Sequence, residues 1–167
     1  MVTRKNILIL LLLCCLGAAL FFFLRPSKEE QIRARLDQLC GEVQKQKNEA
    51  ALDSLTKAAR IGKLFQDPCQ IYFTTPLLDD RLSRREIVQH ISVARNRFSQ
   101  LNLSFYDITF HFPDDRHANL SMTMRVRGAL QGNAEPFSDV RELLMDLKQT
   151  EGTWRISRVE EVQVLER

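Results

Sequence analysis

The chain has no CxxC or CxxH pair, no internal repeat and no low-complexity tract. The first absence excludes the usual cysteine and histidine zinc frameworks, and the three histidines (His90, His111, His117) share no ligand spacing. The second excludes solenoids and propellers. An excess of basic charge is also missing from most of the chain. Four of its 24 Lys and Arg residues (Arg4, Lys5, Arg25, Lys28) precede every one of its 21 Asp and Glu. The remainder therefore carries 20 basic against 21 acidic groups, a net charge of −1 behind an overall +3. A near-neutral domain lacks the electrostatic footprint of a nucleic-acid binder.

One thing present in force is an apolar run. Ile7 to Leu24 contains neither charge nor proline, and roughly 17–25 such residues cross the hydrocarbon core as a helix. Its small residues Gly17, Ala18 and Ala19 lie within the run, ahead of Phe21, Phe22, Phe23 and Leu24. That arrangement favours a retained anchor over a cleaved signal. The expected organisation is a short basic segment (1–5), a single-pass transmembrane anchor (6–25) and one domain (26–167). A short basic N-terminus favours the inside of the membrane, which puts the domain on the extracytoplasmic side, the periplasmic side in a bacterium.

Past the anchor, Ser27 and Glu30 have capping-box spacing. Ile32, Leu36, Leu39, Cys40 and Val43 then recur at helical spacing. A second helix is expected from about Glu49 to Ile61, with Leu52, Leu55, Ala58 and Ala59 as its apolar face. CQIYF (69–73) reads as a short strand and 74–82 as loop. A second capping box at Ser83 and Glu86 opens a third helix ending near Leu101. Four long strands follow. In the first, Tyr106, Ile108, Phe110 and Phe112 are expected on one face and Phe105, Asp107, Thr109 and His111 on the other. The last strand is expected to bulge near Arg158 or Val159. Helices followed by hairpin-linked strands mean an α+β domain, with three helices packed on one face of a strongly bent antiparallel sheet.

This order resembles the nuclear-transport-factor-2-like superfamily, also called cystatin-like. The resemblance lies in two helices, the strand at CQIYF, a third helix and a bent sheet closing with DVRELLMDLKQTEGTWRISRVEEVQVL, and it covers roughly Glu29 to Leu165. It implies a cone between sheet and helices. It leaves the activity open, because the scaffold hosts isomerases, dehydratases, small-ligand binders and protein-binding modules. One span followed by such a domain also resembles, in architecture, bacterial type IV secretion assembly factors.

No catalytic motif stands at a matching position, so no catalytic residue, cofactor or metal is assigned and the chain is expected not to be an enzyme. Tyr72, Phe105, Asp107, His111 and Arg125 are the candidate pocket residues. Asp107 and His111 sit roughly 13 Å apart along a strand, too far for one hydrogen bond, and Asp107 is expected to pair across strands with Arg125 or Arg127. His90, beside Ile87 and Ala94, reads as a boundary histidine of its helix. Cys40 and Cys69 leave two readings open, a disulfide or two buried thiols. The expected role is a membrane-anchored, non-enzymatic module contacting other envelope proteins; the alternative is a binder of a small apolar ligand in the cone.

Overall fold

In a computed structural model the chain is described over residues 26–74, 77–132 and 136–162. It divides into two compact units, Met1–Gln31 and Ile32–Arg167. The fold that follows is that of the second unit, together with the helix that leads into it. No helix among the described residues is long and apolar enough to cross a membrane. The run expected to form the anchor, Ile7 to Leu24, lies outside those residues.

Both capping boxes are present. Ser27 Oγ accepts from Glu30 N at 3.2 Å while Glu30 Oε2 accepts from Ser27 N at 2.7 Å, opening α1 (Lys28–Val43). Ser83 and Glu86 repeat the exchange at α3 (Arg84–Asn96). Between them lies α2 (Ala51–Gly62), which starts at Ala50 without a side-chain cap. Its buried residues are Ala58, Ile61 and Gly62. Leu52 and Leu55, expected on the buried face, are 75% and 63% exposed. The helix is rotated so that Ile61 and Gly62 face inward, and a Cβ on Gly62 would lie 2.5 Å from a Val88 methyl. The close approach of α2 to α3 therefore decides which face is buried.

The sheet has six strands: β1 (Phe65–Thr74), β2 (Leu77–Leu82), β3 (Phe98–His111), β4 (His117–Leu130), β5 (Pro136–Thr150) and β6 (Thr153–Glu161), in the order β2-β1-β6-β5-β4-β3. All neighbours are antiparallel except β1 and β6, which are parallel. Two boundaries differ from expectation. Residues 77–82 form a strand pairing with β1, because Leu82 buries its side chain beside Cys69 in the register. The third helix stops at Asn96, and the chain is already in β3 at Phe98, held by backbone pairing to β4.

Register shifts bend the sheet. In β6 the shift falls at Ser157, whose hydroxyl donates to the Asp146 carbonyl at 3.0 Å. In β3 it falls between Tyr106 and Thr109, where Asp107 takes a positive φ of 52°. This bulge overturns the expected alternation, since one extra residue flips the faces that follow. Leu103 and Phe105 before the bulge pack on the core together with Ile108, Phe110 and Phe112 after it. Tyr106 is turned outward and is 42% exposed. Asp tolerates this backbone region better than most residues.

The core joins Ile32, Leu36 and Leu39 of α1 to Ile61 of α2, Ile87 of α3 and the inward residues of β4, β5 and β6, including Trp154. α1 meets β3 at several heights. The Arg33 guanidinium lies 4.7 Å from the Phe110 ring centroid, and Lys45, just past the helix, exchanges backbone bonds with Leu101 at 2.8 and 3.1 Å.

One charged side chain is buried among them. Arg95 of α3 is 1% exposed. Its Nη1 donates to the carbonyls of Glu42 (2.7 Å) and Gln44 (3.4 Å) and to that of Val43, the orphan acceptors at the end of α1. Its Nη2 pairs with Glu49, which also takes Lys57 Nζ at 2.8 Å. Burial alone would raise the pKa of Glu49, but hydrogen bonds from Lys57 and Arg95 overcome it and hold the carboxyl below its usual value.

Arg95→Met removes one partner from a buried pair and is expected to cost about 3–5 kcal/mol, read from urea unfolding. An unchanged midpoint would show that the clasp is dispensable. A group with a lowered folded-state pKa stabilises fully above its unfolded value and loses that contribution as pH falls through the folded one. The stability gap between the native chain and Glu49→Gln should therefore be constant above about pH 4.5, the ordinary value for this carboxyl, and shrink below it. A gap independent of pH would contradict the assignment.

Candidate functional site

The helices and the bent sheet enclose a cavity of about 380 Å³, within the roughly 300–1,000 Å³ of small-molecule sites. Its wall follows from the elements just described. α1 supplies Leu39 and Val43, and β1 supplies Phe65, Ile71 and Phe73. β3 contributes Leu103 and Phe105, both ahead of the Asp107 bulge. Met124, Leu143, Met145 and Val159 form the sheet floor. Ile87, His90, Ile91 and Ala94 recur at helical spacing along α3 and close the other side. Ile87 is buried, whereas His90 and Ala94 are exposed, so these are the two residues of this row that reach from the lining to solvent. His90 is the one polar side chain in the lining, which contains no carboxylate.

Of the five residues expected to form the pocket, Phe105 is in the wall. Tyr72 is turned away by strand alternation, since its neighbours Ile71 and Phe73 point in; it lies between Asp79 of β2 and Glu160 of β6 in the register. Asp107 is exposed at the bulge. Arg125 lies opposite Ser104 rather than Asp107, with its guanidinium 4.7 Å from the Tyr106 ring centroid. His111 lines a separate hollow with Asn119, Asp146 and Arg158. The structure therefore does not bring the five together: the β3 bulge displaces Asp107 and His111, and the alternation of β1 and of β4, where Met124 points in, turns Tyr72 and Arg125 away. His90 carried the signal that sequence reasoning undervalued: it is a polar residue inside an apolar helical stripe.

Both domain cysteines are free thiols. Cys69 is fully buried in the core, and burial pushes its thiol up to about 12. Cys40 is raised to about 11 by burial and then by the Asp37 carboxylate. The thiolate is the reactive form. Cys40 and Cys69 should therefore resist iodoacetamide at pH 8 in a Cys14→Ser, Cys15→Ser background and label fully in urea. Rapid labelling of either in the folded chain would contradict these environments.

No family model matches the chain, and no curated protein does. Solved structures do match. An NTF2-like protein with a cystatin-like fold from Novosphingobium aromaticivorans is 15% identical, with a TM-score of 0.65, covering 100% of this chain and 94% of that one. A scytalone dehydratase-like protein from the same organism has a TM-score of 0.68 at 11% identity, covering 83% of this chain and 85% of that one. A hexachlorocyclohexane dehydrochlorinase has a TM-score of 0.63 at 9% identity, covering 79% and 82%.

The domain thus has the nuclear-transport-factor-2-like fold. Its neighbours correct the expectation that the chain is not an enzyme. That expectation rested on a missing motif, yet structures of this fold carry the names of a dehydratase and a dehydrochlorinase. At such identities they show the fold and assign no reaction.

Proposed function

We propose that the domain binds a small apolar molecule inside its cone while the segment Ile7 to Leu24 holds it at a membrane, with the domain on the extracytoplasmic side. The observation carrying the ligand reading is the cavity of about 380 Å³ whose lining is apolar except for His90. A small molecule bound there gains roughly 25 cal/mol for each Å² of apolar surface removed from water. Met124 and Met145 on the floor adapt to different shapes. The anchor reading is supported by the length and purity of the apolar run. If the bound molecule is also transformed, His90 is the lining side chain able to carry a proton.

A second reading, contact with other envelope proteins, is favoured by Tyr106, Val140 and Leu144. These are 42%, 53% and 43% exposed. The cavity favours the ligand reading over it, because it is formed within one chain.

The test is fluorescence titration of the full-length chain in lipid nanodiscs with the apolar probe N-phenylnaphthylamine, using empty nanodiscs as baseline. Saturable binding is expected, weakened about tenfold or more by Phe105→Trp, a factor worth ~1.4 kcal/mol. Circular dichroism should be unchanged in that variant. Binding no greater than to empty nanodiscs, or equal binding by the variant, would remove the cone as the site.

A further inference from the structure

Resting on the cavity reading above, we propose that the ligand is a single-headed amphiphile. Its apolar body fills the cone, and one oxygen-bearing head, preferably a carboxylate, sits at the mouth beside His90. Inside, the lining offers a buried polar group no partner, and an unpaired one is costly. A head must therefore stay at the opening. That opening is marked by the two exposed lining residues of α3, His90 and Ala94. Imidazole donates from one ring nitrogen and accepts at the other, so it meets an alcohol or an acid equally well.

The preference for acid comes from the next position along the same face. Arg97 lies three residues past Ala94 and seven past His90, and its backbone remains helical (φ −75°, ψ −18°). The row His90, Ala94, Arg97 therefore runs from imidazole to an exposed guanidinium. One turn the other way is Glu86, whose carboxylate is taken up by Ser83, accepting from its backbone N–H at 2.8 Å and from its hydroxyl at 2.6 Å. The mouth thus presents a hydrogen-bonding ring, with the Arg97 cation beyond it on one side and the Ser83-bound Glu86 carboxylate on the other. A cationic head would meet Arg97 as a like charge.

Isothermal titration of the full-length chain in lipid nanodiscs would compare decanoate, decanol and decylamine, again against empty nanodiscs. Decanoate is expected to bind about tenfold more tightly than decylamine, with Arg97→Gln closing that gap. His90→Leu should weaken decanoate and decanol together by about tenfold, and His90→Gln, which still hydrogen-bonds, should restore most of the loss. Equal affinities for acid and amine, or full affinity in His90→Leu, would overturn the head-group assignment while leaving the cavity reading intact. No saturable binding of any of the three, with Phe105→Trp also silent, would take down the cavity reading itself.

Discussion

Arg95 is the one charged residue among the buried residues of the described chain, and what it holds is the end of α1. That helix has no basic residue in its own last turn, so its final carbonyls would face the interior unanswered. A guanidinium answers several at once because its donors are fixed in a fork. The bond is returned, since Lys45 Nζ donates to the Arg95 carbonyl at 3.0 Å. The clasp also sets a dimension. Leu39 and Val43 on α1 face the cavity from one side, Ile91 and Ala94 on α3 from another, and Arg95 ties the two helices at their shared end. A buried ion pair is a weak source of net stability, but this clasp fixes how closely two walls of the cone approach.

Much of the fold was legible because it rests on local chemistry. Ser27 with Glu30 and Ser83 with Glu86 announce helix starts through side-chain spacing alone, and the alternation of Leu143, Met145 and Leu147 announces a strand. What escaped was decided by tertiary contact. Leu52 and Leu55 look like a buried face until the packing of Gly62 against Val88 turns the helix. Residues 77–82, with Asp79, Asp80 and Arg81 among them, read as loop until β1 supplies a partner.

The site was less legible than the fold for a related reason. Sequence reading looks for polar groups that converge, and Asp107, His111, Tyr72 and Arg125 were the natural candidates. The cavity is instead defined by what is apolar, spread over α1, α3 and all six strands. No motif encodes a void; it arises where the sheet bends away from the helices. His90 mattered by being an exception to its surroundings, and an exception shows only once the surroundings are known.

The bulge at Asp107 has a corollary. Everything N-terminal to it on β3 that faces the cone, Leu103 and Phe105, belongs to the cavity wall; Ile108, Phe110 and Phe112 beyond it pack on the core and do not line the cavity. The border between cavity wall and solid core is thus drawn by one backbone irregularity rather than by the side chains on either side. Moving that irregularity along the strand by a single-residue insertion or deletion would exchange lining residues for core residues wholesale. Such a shift would change the size of the cavity with little change in composition.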